Sequence, residues 1–244
     1  MAIYHCSVKT VSRSTGRSAT AAAAYRAGSR IVDERTGEIH DYRKKGGVTH
    51  SEIVGFDGDR SALWNAAEKA ERRKDATLAR EYEVALPSEL SDEQRRDLVR
   101  EYGAWIHERH GCAVDFSIHQ PDPHPGGCEN PHAHILTTTR AVTDDGTLGD
   151  KIAREWRDTK RKKENLGPRR DDLEEAREKW ADCCNQHLTR AGHAARIDHR
   201  SLEAQGIDRE PTIHLGPTAT AMERRGAESD RGDVNRDIEA RREL

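Results

Sequence analysis

Near the start of the chain, Tyr4, Cys6 and Val8 alternate with Ile3, His5 and Ser7, a period of two that predicts a half-buried β-strand over 3–9. A basic turn with Arg13, Gly16 and Arg17 follows. Next comes "SATAAAAYRAGSR" (18–30), dense in alanine, the strongest helix former. With Ser18 or Thr20 near its cap, a helix is expected from Ala19 to Arg30. Residues 31–59 read as a loop-rich excursion with short strands. In "RSALWNAAEKAERRKDATLA" (60–79), Leu63, Ala66, Ala67 and Ala70 recur at helical spacing against a charged face. "REYEVALP" predicts a strand stopped by Pro87, and "SDEQRRDLVREYGAWIHERHG" a helix opened by Ser91 and closed by Gly111. "CAVDFSIH" and "HAHILTTTR" are further strands, separated by the Pro/Gly-rich "QPDPHPGGCENP". Beyond "DDG" the chain turns charged and helical, with Trp180 on an apolar stripe that points to a core. From about Thr218 it is polar and free of aromatics, as in a flexible tail or linker, giving domains of 1–217 and 218–244. Interleaved strands and helices with hairpin-like connections predict an α+β fold, an antiparallel sheet covered by helices.

Composition narrows the picture. Of 244 residues, 35% are charged and 5% aromatic, so the core is thin and the solvated surface large. The net charge of −3 does not advertise a nucleic-acid binder, although net charge hides clustering. Five cysteines at irregular spacing form no CxxC pair and read as reduced thiols in a cytoplasm. No apolar run approaches membrane-spanning length, so a soluble, intracellular protein is expected.

The sharpest chemical signal is "SIHQPDPHPGGCENPHAHI". Side chains on a strand alternate faces, so His132 and His134 share one face while Ala133 and Ile135 face the core. In the preceding strand Val114, Phe116 and Ile118 are apolar, which leaves Asp115, Ser117 and His119 opposite. If the two strands pair through the proline loop, three imidazoles converge on one point of one sheet face. Packing does not explain such a cluster. Three neutral imidazoles suit Mn, Co, Ni or Zn; Mg serves if substrate oxygens complete its shell. The structural alternative is a closed zinc site that recruits His124, Cys128 or Glu129 from the loop.

Tyr25 supplies the second half of the chemistry. A phenol attacking phosphorus needs activation at neutral pH, and a bound cation polarises the phosphate oxygen. A phosphotyrosine ester conserves the broken phosphodiester for rejoining, whereas simple hydrolysis needs no tyrosine. The pair therefore favours nicking and joining of DNA.

At these residues the chain resembles a known family. "MAIYHCSVKTVSRSTGRSATAAAAYRAGSR", "REYEVALP", His119 followed by "ENPHAH", and "GIDREPTIHLGP" look like the MobA/MobL/TraA-type plasmid relaxases, which are HUH endonucleases. The HUH element would be His132-Ala133-His134, and the likeness runs from Met1 to about Pro217. The resemblance implies an antiparallel palm of about five strands with the metal and DNA site on its open face. It also implies that Tyr25 is the nucleophile, linked to the DNA 5′ end with a free 3′ hydroxyl left behind. By the same likeness His119, His132 and His134 are metal ligands for Mn2+ or Mg2+, with Zn2+, Co2+ or Ni2+ as alternatives. Glu81 matches an acidic residue near the metal or tyrosine, and Glu83 shares its strand face as a possible second acid. His214 and Glu210 fall in the closing motif without a chemical role. The implied partners are origin-of-transfer DNA, single-stranded and hairpin, with relaxosome accessory proteins and a type IV secretion coupling protein. The implied setting is the bacterial cytoplasm, with export of the protein–DNA adduct. A replication initiator of the same class is the alternative enzyme, and a non-enzymatic DNA-binding or metal-stabilised module is the alternative outside catalysis.

Basic residues complete the expectation. Residues 151–170 concentrate positive charge around Trp156, and Arg43, Lys44 and Lys45 form a smaller cluster. Phosphate contacts are expected from Arg26, Arg30, Lys44, Lys160, Arg161 and Lys162, with base stacking on the tryptophan. The plain alternative is a solvated helix face balanced by Glu155, Asp158 and Glu164, and for Arg26 an intramolecular ion pair.

Overall fold

In the computed structural model, residues 2–120 and 130–242 are described. Strand β1 (Cys6–Ser12) starts later than the alternation suggests, although the His5 carbonyl still accepts from the Ala85 N–H. Helix α1 (Ala19–Ala27) is capped by the Ser18 hydroxyl, which accepts from the Ala21 N–H. It stops before Arg30 because Gly28 takes the left-handed conformation, φ 59°, that turns the chain out of a helix. β2 (Arg30–Val32) and β3 (Ile39–Asp41) form a small hairpin sheet, and β4 (Val48–Val54) leads to α2 (Arg60–Ala70).

The helix expected through Ala79 breaks at Ala70. The Arg13 guanidinium gathers the carbonyls of Glu68, Glu71 and Arg73, which lie at the helix end where acceptors lose their intrahelical donors. β5 (Thr77–Ala85) therefore begins earlier than expected. α3 (Asp92–His110) carries the Ser91–Gln94 capping box and the left-handed Gly111 that its sequence predicts. β6 (Cys112–His119), β7 (His132–Val142) and β8 (Leu148–Lys151) follow, then α4 (Asp158–Lys163) and α5 (Arg169–Arg190).

The main sheet is antiparallel, with strand order β1-β5-β7-β6-β4 and β8 paired to the far end of β7. It is six-stranded; the expected five form the continuous row. Helices cover both faces. On one, Tyr82, Val84, Val114, Phe116, Ile118, Ala133 and Ile135 pack with Tyr102 and Ile106 of α3 and Trp180 and Leu188 of α5. The Tyr102 hydroxyl reaches the Ala176 carbonyl at 2.8 Å inside this core. On the other, a smaller core joins Ala19, Ala23 and Ala24 of α1, Leu63, Trp64 and Ala67 of α2, and Ala79, Ala113 and Leu136 of the sheet. The expected open face is thus half covered, and α1 ends beside its uncovered part.

Tight compaction divides the chain into Met1–His199 and Arg200–Leu244. Within the second unit lie α6 (Gly216–Arg224) and α7 (Asp230–Arg242), where composition alone suggested a flexible tail. In that unit the Glu210 carboxylate pairs with Arg241 at 3.0 Å, and the His214 carbonyl accepts from Arg231 at 2.9 Å. Among the described residues, no helix is long and apolar enough to cross a membrane.

Candidate active site

The register of β6 and β7 brings the histidines together. His119 lies directly opposite His132, and Ser117 opposite His134. Their rings converge with centroids 5.3 Å (His119–His132), 4.8 Å (His119–His134) and 5.2 Å (His132–His134) apart. One nitrogen from each ring lies within 4.8 Å of the others. The alternative ligands His124, Cys128 and Glu129 lie outside the described residues. The four described cysteines, Cys6, Cys112, Cys183 and Cys184, are buried free thiols away from the cluster.

The second nitrogen of every ring is occupied. His134 Nδ1 is 2.7 Å from Glu81 Oε1, His132 Nδ1 is 2.9 Å from the Asn130 carbonyl, and His119 Nε2 is 2.6 Å from the Arg26 carbonyl. Carboxylate and carbonyl oxygens only accept, so each of these nitrogens carries the proton, and the opposite nitrogen of each imidazole keeps its lone pair. That is the donor set a transition-metal site requires, with the outer hydrogen bonds that fix ring orientation already made. Burial lowers the pKa of His119 to about 4 and pushes His132 down as well, so both rings favour the neutral, ligating form.

Glu81 is the electrostatic centre of the site. It is 2% exposed, and its two oxygens accept from Arg26 Nε at 2.5 Å and Arg26 Nη2 at 2.6 Å. Burial raises its pKa, but the His134 and Arg26 hydrogen bonds outweigh that and hold it at about 2. Glu83, which faces His134 in register, is instead paired with Lys9 at 2.7 Å. Glu81 thus belongs to the histidine cluster directly, and Glu83 flanks it.

Helix α1 is held at both ends, and at one of them it is docked against this cluster. Glu68 of α2 accepts from the Ala19 N–H at 2.7 Å and from Arg13 at 2.6 Å, and Thr20 donates to the buried Asp33 at 2.7 Å. At the other end, Arg26 contacts His119 through its backbone and Glu81 through its side chain. Tyr25, immediately before it, is 49% exposed, and its hydroxyl makes no hydrogen bond to a described residue. Its ring is held from two sides, edge-on by Tyr42 at 5.2 Å between centroids and by Lys45 Nζ 3.7 Å above the ring centre. Lys45 Nζ also bonds the Tyr25 carbonyl at 3.0 Å, and burial lowers its pKa. Ala23 and Ala24 are the contact face of the helix; their small side chains let it lie close to the sheet while Tyr25 points away.

Lys45, grouped by sequence with Arg43 and Lys44 in a basic cluster, was given no role of its own there, where Lys44 was the expected phosphate contact. Residues 42, 45 and 48 pass close to Gly28 at the end of α1, a contact that no local sequence pattern signals. The other basic expectations divide. Arg30, Lys44, Lys160 and Lys162 are exposed. Arg26 is committed to Glu81, the ion-pair alternative. Arg161 corrects the expectation of a surface contact: it is 4% exposed, bidentate with Asp172 at 2.6 and 2.9 Å, and donates to the Gly167 and Ala153 carbonyls. Residues 151–170 are no continuous basic helix, and the Trp156 ring face is covered by Lys160 Nζ at 3.7 Å.

The chain is similar to known proteins in sequence and in fold. Residues 17–225 match the MobA/MobL family. The mobilization protein MobL of Acidithiobacillus ferridurans is 45% identical over 256 residues, covering 95% of this chain and 66% of the relative. The probable conjugal transfer protein TraA of Sinorhizobium fredii is 39% identical over 258 residues, covering 94% of this chain but 22% of its own length. A solved structure described as the molecular basis of vancomycin resistance transfer in Staphylococcus aureus superposes with a TM-score of 0.66 at 31% identity, covering 82% of this chain and all of that one.

Proposed function

The chain belongs to the MobA/MobL family, and on that premise we propose that it is a plasmid mobilisation relaxase that nicks one DNA strand at an origin of transfer and later reseals it. The observation that carries the reading is the docking of α1: residue 26 touches both His119 and Glu81, while Tyr25 beside it stays exposed with an unengaged hydroxyl. A nucleophile and a donor set for a cation are thereby held against one region of the sheet.

The Tyr25 oxygen attacks the scissile phosphorus. A new O–P bond forms, the bond from phosphorus to the 3′ oxygen breaks, and the phenol's proton ends on the departing 3′ hydroxyl. The product is a 5′-phosphotyrosine, and the reverse reaction restores the strand. His119, His132 and His134 would hold a divalent cation, Mn2+ or Mg2+ by the reading above, which would supply polarisation of the phosphate and offset charge in the transition state. Glu81 is a positioning residue: it orients His134 and anchors Arg26, and with it the end of α1. Lys45 holds the Tyr25 ring and adds positive charge where the phenol loses its proton. Origin DNA is the substrate and the donor cytoplasm the setting.

The test is direct. Labelled single-stranded origin DNA incubated with Mn2+ or Mg2+ yields a covalent protein–DNA adduct, and Tyr25→Phe abolishes it while leaving DNA binding intact. Adduct formation by the phenylalanine variant would refute the assignment.

A further inference from the structure

We propose that a cavity bordered by Arg80, Arg154, Arg169 and Arg170, on the sheet face opposite the histidines, binds a backbone phosphate of nucleic acid. The cavity measures about 330 Å3, with Asp158 also in its wall. Its central feature is Arg154, which is 4% exposed yet makes no hydrogen bond to a described residue; its Nη1 is fully buried without a partner. The guanidinium carbon lies 4.8 Å from the Tyr82 ring centroid, so an aromatic face, not an acceptor, covers one side of it.

The nearby carboxylates are already engaged. Glu155 is bidentate with Arg80 at 2.8 and 2.9 Å, and Asp172 with Arg161. Asp158 accepts from the Arg169 N–H at 3.0 Å and lies 3.4 Å from its guanidinium, while Glu174 meets Arg170 at 3.6 Å. Arg154 is left with no carboxylate of its own. Burial lowers its pKa, but only to about 10, so it is charged at neutral pH. A buried charge without acceptors is costly, and an oxyanion in the cavity supplies them.

The surroundings favour a polymer over free phosphate. Arg169 also borders a cavity of about 700 Å3 whose walls carry Arg73, Arg140 and Arg157 alongside Glu71, Asp75 and Glu155. Cationic lining thus continues beyond one phosphate. Val8 lines the smaller cavity from the edge strand β1, whereas its neighbour Lys9 pairs with Glu83 on the histidine face, so a strand passing over this edge meets both faces. The nucleic-acid source rests on the proposed function.

The full chain is unfolded thermally with and without inorganic phosphate at constant ionic strength. Phosphate raises the wild-type midpoint by about 3 °C. Arg154→Met is at least as stable as wild type without phosphate and loses the shift, and the exposed Arg170→Ala folds normally with a reduced shift. In a second arm, origin hairpin DNA is titrated over a salt series, and Arg154→Met lowers the slope of log affinity against log salt by about one. Equal phosphate shifts in wild type and both variants overturn the subsite. A lost phosphate shift with an unchanged DNA slope overturns the backbone assignment in favour of a free anion. Both arms are read without cleavage, so an absence of nicking counts against the active-site reading alone. If Arg154→Met fails to fold, Arg170→Ala carries both measurements.

Discussion

Replacing Glu81 with glutamine keeps the shape of the side chain and removes its charge. In the wild type the carboxylate accepts two bonds from Arg26 and one from His134, which together hold its pKa at about 2 against an ordinary 4.5. A depressed carboxylate pKa contributes stability that is complete above the unfolded value and lost as the pH falls through the folded one. The difference corresponds to about 3 kcal/mol, present above roughly pH 4.5 and gone near pH 2. The cost of leaving one partner of a buried pair uncompensated has the same size, roughly 3–5 kcal/mol. For a chain of this length a loss of about 3 kcal/mol lowers the thermal midpoint by roughly 6–12 °C. Chelator-treated wild type and Glu81→Gln are compared by urea unfolding across this pH range, and the gap between them closes on acidification. The variant also leaves His134 with a weaker acceptor, so Mn2+ affinity by calorimetry falls about 10- to 100-fold. Equal stability at neutral pH together with equal Mn2+ affinity would show that Glu81 neither anchors α1 nor orients the imidazole.

Three further outcomes follow from the same geometry. His119 has a folded pKa of about 4, below the ordinary 6.5, so the metal-free protein loses about 3 kcal/mol as pH falls from about 6.5 to about 4; His119→Gln flattens that loss in chelator-treated unfolding curves, and an unchanged slope would contradict it. Asp115, 3% exposed, accepts from Arg60 and from Trp64 Nε1 at 2.8 Å, so Asp115→Ala destabilises by about 3–5 kcal/mol in urea unfolding, whereas a change under about 1 kcal/mol means α2 is held otherwise. Lys45→Met removes the ammonium from the Tyr25 ring and carbonyl, a contact worth about 1 kcal/mol, and slows adduct formation roughly fivefold in single-turnover assays while Mn2+ affinity stays unchanged.

Much of this molecule was legible in its sequence. Alternation in 112–119 and 132–140 assigned two strands and their apolar faces, and Ser91, Gln94 and Gly111 marked the ends of α3, because a strand's period and a helix's caps are local properties of the backbone. The cluster of His119, His132 and His134 followed from the same period once the strands were paired. What lay beyond reach depends on partners far along the chain. The early end of α2 is set by Arg13, the burial of Arg161 by Asp172, the exposed setting of Tyr25 by Lys45 and Tyr42, and the bond between Glu81 and His134 by the register of β5 on β7. A side chain's charge is written in the sequence, but whether it faces solvent, a ligand or an opposite charge is settled only when segments tens of residues apart are packed, since electrostatic and hydrogen-bonding energies depend on distance and burial, not on order along the chain.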